Sequence, residues 1–304
     1  MGYIYLIGIY IMDTDYIKLK EIKPALAGYI RESLTMLSKE PLPDEEVIHD
    51  VRVLMKKSRA SLKLVAPQLD TTFVTKDIVA LREVGRKMCN WRECSVLRKT
   101  LKELKKDFPD LFSQLGEDEK INSILKKADA SGLTDEDLTA ESESIHSLLR
   151  KAGFRIRFQS INKIDPQLLI SELEQTYKMV ADIYLNCRNN PKPEKLHEFR
   201  KKSKDFLYQL YFFRPLNPQA IKPLEKKLDT LTQLLGRFND LSQLVKALDY
   251  EYLANKYPPA MDELVIRIRE KQDIYLLKIW PAAYKIFRPG QRLVKVLGFK
   301  LLVI

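Results

Sequence analysis

The chain has 304 residues, enough for one large domain or two of about 150 residues, and either size buries a real core. Its 45% apolar and 31% charged residues exclude a fibrous or disordered chain, and only ten glycines beside abundant Leu, Lys and Glu favour helices over sheets. A net charge of +11 points to an anionic partner, whether nucleic acid, a lipid surface or a polyanion, while three cysteines (Cys89, Cys94, Cys187) without a CxxC pair read as reduced cytosolic thiols.

The N-terminal MGYIYLIGIYIM is apolar over 12 residues, too short to span a bilayer. It lacks the basic region and cleavage site of a signal peptide. It is expected to be a strand-like tail over residues 1–16, or a leader upstream of a true start at Met12, and not a membrane anchor. Helical periodicity takes over near Lys18. YIKLKEIKPALAGYIRESLTMLSK reads as a first helix, bent near Pro24. PLPDEE then supplies proline followed by first-turn acids, the signature of a helix start, and the second helix ends near Pro67. The stretch from Thr75 to Phe108 predicts one long or two abutting helices closed by Pro109, and two shorter helices follow on either side of a stop at Gly132. FRIRFQSI alternates apolar and charged residues and reads as a strand or an extended linker.

From Asp165 the plan restarts: a long helix, NPKPEK as a second proline-acid start, a helix ending at Arg214–Pro215, and two more long helices. The C-terminal RLVKVLGFKLLVI, interrupted by Lys295 and Lys300, is expected to dock on the body of the protein. Two motifs make the repeat specific. IHDVRVLMKKSRASLK (48–63) and LHEFRKKSKDFLY (196–208) each place Arg three and Lys seven residues after a His, using two of the chain's three histidines 148 residues apart. CNWRECSVL (89–97) aligns with GRFNDLSQL (236–244) at an offset of 147. Two motifs in one order at nearly one offset indicate internal duplication. The expected architecture is all-α: two pseudo-symmetric helical bundles, residues 17–155 and 156–304, around a basic central groove or pore.

On a helical wheel His49, Arg52, Lys56, Arg59 and Lys63 form one stripe, with Lys57 at its margin and apolar residues opposite. In the second copy His197, Arg200, Lys201, Lys204 and Tyr208 do the same. Like charges at i, i+4 oppose each other, so a face built only for solubility would intersperse the signs. The structural alternative is a solvated polar face; duplication of the spacing favours an anion-binding rail. Arg and Lys make charge-assisted hydrogen bonds to phosphate-type oxygens. Glu93 and Asp240 are candidates to orient the histidines or arginines, with Arg92, Arg237 and Asn239 near the same groove. His146 falls outside both copies and reads as a surface or packing residue.

The paired pattern resembles the CHAD family, the conserved-histidine α-helical domain. Its first-half HxxRxxxRRxR is matched by His49, Arg52, Lys56, Lys57 and Arg59. Its second-half HxxRKxxKxxRY is matched by His197, Arg200, Lys201, Lys204 and Tyr208, and its GxxRD or GxxND segments by Arg92 and Glu93, then Gly236, Asn239 and Asp240. Leu207 stands where that pattern has Arg, Cys89 where it has Gly, and Glu93 where it has Asp. The resemblance implies a non-catalytic module that binds inorganic polyphosphate in a basic channel and associates with polyphosphate granules in the cytoplasm. Two alternatives are a nucleic-acid binder, for which no recognised motif is present, and an enzyme acting on phosphates. No P-loop, HExxH or ExExK signature occurs, so no catalytic, cofactor or metal site is assigned.

Overall fold

The computed structural model describes residues 19–38, 45–116, 118–126, 135–159, 161, 164–248 and 259–298, with the backbone alone at 19–21, 89–95, 126 and 135–138. The expected tail at 1–16, the stop at Gly132 and the last six residues lie outside them. Among the described residues there are twelve α-helices and no strand, which agrees with the all-α expectation. No described helix is long and apolar enough to cross a membrane.

Helices α1 (Leu19–Leu37), α2 (Glu45–Val65), α3 (Thr71–Lys87) and α7 (Asp135–Phe158) pack as one bundle. Acids Glu45 and Glu46 open α2, where they complement the helix dipole, and Asp70 caps α3 by accepting from the Phe73 N–H at 2.9 Å. A second group follows: α8 (Pro166–Asn189), α9 (Pro193–Leu210), α10 (Pro218–Ala247) and α11 (Pro259–Tyr284). Proline at the first helical position starts α8, α9 and α10. The short α12 (Leu293–Val296) docks on α8, where Glu174 accepts from the Val294 N–H at 2.9 Å. The described part of the C-terminal segment, through Gly298, thus packs as expected.

One apolar core runs through both groups, because α2 and α9 pack directly on each other. A second core forms where α4 (Cys89–Asp107), α5 (Pro109–Leu115) and α6 (Glu119–Lys126) reach the far half of α10 and the start of α11. Pro109 therefore opens a helix as well as ending the one before. FRIRFQSI is not a strand: residues through Phe158 continue α7. The reason is spacing, since Ile145, Leu149, Ala152 and Ile156 recur every three or four residues and are fully buried. Its alternation comes from Phe154 and Phe158, which are exposed and lie against each other at 4.6 Å.

An aromatic cluster fixes α9 to α8. Phe287, fully buried, has its ring 5.5 Å from Tyr177, 6.0 Å from Phe199 and 6.4 Å from both Tyr184 and Phe206. Phe199 and Phe206 lie on the apolar face of α9, so this cluster sets the rotation of the helix that carries the second motif. Phe287→Ala is expected to lose about 3–5 kcal/mol of stability, measured by urea denaturation. Burial also pushes the Cys187 thiol up to about 11 and the Tyr177 and Tyr208 phenols up to about 12. These groups hold their protons more tightly folded than unfolded, so their contribution is complete at neutral pH and lost as pH rises through the folded values. The denaturation midpoint should hold up to pH 9 and fall progressively from there to pH 12.

Candidate anion-binding site

The six basic positions of the first motif are all half-buried. They are not the fully solvated face that a solubility stripe would present. Arg52 reaches α3, donating from Nη1 to the Gly85 carbonyl at 2.6 Å. Arg59 sits where burial lowers its pKa, with Asp205 opposing that shift and the neighbouring Arg82 and Arg52 adding to it. Arg52, Arg59 and Arg82 thus form a crowded cationic cluster. Lys63 pairs with Asp205 of α9 at 2.5 Å. Lys57 turns the other way, its ammonium 5.8 Å from the Tyr29 ring of α1, as its place at the margin of the stripe foretold. His49 and Lys56 are half-buried beside them.

The second motif runs antiparallel along α10, meeting it one turn at a time. His197 Nδ1 lies 2.7 Å from Asn239 Oδ1. The Arg200 guanidinium lies over Gly236, where a Cβ would stand 3.3 Å from Nε and 3.5 Å from Nη2. Lys204 approaches Asp229 at 3.2 Å and the Tyr208 ring at 5.9 Å. Arg200 Nε is buried and makes no hydrogen bond. The two helices meet through their C-terminal halves: Gln209 donates to the Ala60 carbonyl at 3.2 Å, beside the Lys63–Asp205 pair. Each histidine lies some three turns upstream of that contact, roughly 17 Å along its own helix.

The CHAD domain family matches residues 29–249, nearly three-quarters of the chain. The chain belongs to the CHAD family. No curated protein matches it. The matched span runs from the middle of α1 to just past the end of α10 and takes in both motifs.

Within this CHAD domain the structure distributes the sequence-derived residues unevenly. Arg52, Arg59 and Lys63 come together with Asp205; His197, Arg200 and Lys204 line the α9–α10 seam. Lys201 is exposed and paired with Glu198 at 2.6 Å. Arg237 is committed elsewhere, holding Glu103 of α4 at 2.8 Å, and that hydrogen bond raises its pKa. Asn239 holds His197, while the half-buried Asp240 lies close enough to favour the Arg237 charge. Tyr208 is buried, packed edge-on against Tyr211 at 5.9 Å. The side chains of Arg92 and Glu93 lie outside the described residues. Asp229 and Glu103, the carboxylates that neutralise Lys204 and Arg237, went unforeseen; they come from helices that only the fold brings close.

Gly236 therefore makes room for a side chain rather than for a backbone. Gly236→Ala is expected to raise helix stability by up to about 1 kcal/mol while pushing the Arg200 guanidinium aside. Stability by thermal denaturation should hold or rise while affinity for a polyanion falls; unchanged affinity would mean Arg200 plays no part in binding.

Proposed function

We propose that the protein binds inorganic polyphosphate without transforming it, along a groove lined by the cationic faces of α2 and α9, and that it associates with polyphosphate granules. The observation carrying this reading is the grouping of the half-buried Arg52 and Arg59 with the exposed Arg82, where burial and like charges oppose the Arg59 charge and Asp205 favours it. A resident polyanion relieves both penalties at once, and guanidinium forks match phosphate oxygens. Membership of a family associated with polyphosphate binding selects the polymer. The groove is read as the seam of two pseudo-equivalent halves, 17–155 and 156–304. In support, α2 and α9 begin at Glu45 and Pro193, α3 and α10 at Thr71 and Pro218, close to the 148- and 147-residue offsets of the motifs.

A divalent metal between the two histidines is disfavoured by the surrounding Arg and Lys, so the reading is one of binding rather than catalysis. Wild-type protein should bind long-chain polyphosphate with an affinity that falls steeply with salt, as counterions are released. Arg52→Glu/Arg200→Glu should bind at least about a hundredfold more weakly, since hydrogen bonds to charged groups contribute about 1.5–3 kcal/mol each. Equal binding by the two proteins in a titration at fixed salt would remove the site. Competition with single-stranded RNA or duplex DNA separates this reading from a nucleic-acid binder: polyphosphate should displace either one.

A further inference from the structure

Where the second rail begins, at the first turn of α9, the structure holds a cavity of about 530 Å³ between α9, the far half of α10 and α11. Its size suits a small ligand. Glu194, His197, Asn239, Ser242, Lys246 and Arg269 supply its polar wall. Two of these groups are held in place from behind. Asn239 Oδ1 accepts from His197 Nδ1 at 2.7 Å, leaving Nε2 as the ring nitrogen available to a ligand. Arg269 donates to Gln272 Oε1 at 3.0 Å, and Gln272, almost fully buried, donates in turn to Ser242 Oγ at 2.8 Å. The α9 N-terminus bordering the cavity has no side-chain cap. Arg269 lies on α11, beyond the span matched by the family, so the cavity joins the family's helices to a part of this chain outside that match.

We infer that this cavity seats a polyphosphate chain end, binding the terminal phosphoryl group while the polymer continues along α9. The inference rests on the polyphosphate reading and adds end recognition to it. The chemistry distinguishes an end from the interior. A terminal phosphoryl group carries a second, weakly acidic hydroxyl with a pKa of about 6, as a phosphomonoester does, whereas an interior unit has one ionisable oxygen. At neutral pH the end therefore offers the greater negative charge to Lys246, Arg269 and the imidazole. In its monoprotonated form it also offers a hydroxyl that the Glu194 carboxylate can accept. An interior unit offers that carboxylate only repulsion. Three donors and one acceptor thus fit a phosphate end better than a fully ionised oxyanion surface.

The test compares linear tripolyphosphate with cyclic trimetaphosphate, which has no end, by isothermal titration calorimetry on the full chain. Wild type, Lys246→Gln and Arg269→Gln are each measured, with long-chain polyphosphate as the control ligand. Wild type should prefer the linear form, and each variant should lose about tenfold or more of its tripolyphosphate affinity while still binding the long polymer. Lys246 is exposed, so its replacement does not threaten the fold if Arg269→Gln disturbs the Gln272–Ser242 chain. Unchanged tripolyphosphate affinity in both variants, or equal binding of linear and cyclic forms by wild type, overturns the end assignment and leaves polymer binding intact. Failure of wild type to bind the long polymer overturns the reading beneath it.

Discussion

Helices α2 and α9 must each bury one face in a core that runs continuously through the molecule, α2 against α1 and α3 and α9 against α8 and the Phe287 cluster, and they meet each other through their C-terminal halves. Ile48, Val51, Leu54 and Leu62 on one, and Phe199, Phe206 and Leu207 on the other, are nearly or fully buried. Each helix has one rotation that satisfies this, so the opposite faces, where the charges are, have no freedom to turn. The close approach is helped by Ala60 and Ser61 on α2 and Ser203 on α9, all buried and small, which let the two backbones come near enough for Gln209 to reach the Ala60 carbonyl. The charged seam is thus a consequence of apolar packing, and the Phe287 cluster behind α9 secures it.

Such a seam cannot hold cations alone. Like charges a turn apart repel, and here half-burial weakens the screening by water. The fold supplies carboxylates from neighbouring helices, Asp205 to Lys63 and Asp229 to Lys204, and α9 itself supplies Glu198 to Lys201. Each is a single ion pair that a phosphate oxygen could replace. A monovalent or divalent anion gains little by replacing one of them, because the displaced carboxylate must be resolvated. A polymer replaces several in succession, and after the first contact the next ones are intramolecular. In the proposed binding mode, pre-neutralised rails would favour long polyanions over free phosphate, a selectivity that a bare cationic strip would lack.

The two rails were legible in the sequence because a period of 3.6 residues needs no tertiary information: every fourth or third residue of 49–63 and 197–204 shares a face whatever the helix packs against. The same reasoning could have found the cavity wall on α10, since Asn239, Ser242, Gln243 and Lys246 are spaced i, i+3, i+4, i+7. What stayed hidden depends on the neighbours of each helix. Arg237 looks like a groove residue until α4 arrives with Glu103, and Tyr208 looks like a flank of the stripe until Tyr211 covers it. FRIRFQSI misleads for a different reason. Two exposed phenylalanines one turn apart imitate strand alternation, while the real signal, Ile145 through Ile156, begins well upstream.

The two motif arginines show how one requirement was met in two ways. Each must cross onto the helix that follows its own. Arg52 meets α3 at Gly85, three residues before the break at Met88 that separates α3 from α4. The last carbonyls of a helix lack an N–H partner and carry the negative end of its dipole, so the guanidinium is tethered there by a good acceptor. In the second half α10 continues unbroken through the corresponding stretch. Its carbonyls are engaged within the helix, and Arg200 instead lies flat over Gly236 with Nε buried and unpaired. The broken helix gives an arginine tethered to a carbonyl and the continuous one an arginine laid over a glycine, while Nε of each is buried without a hydrogen bond.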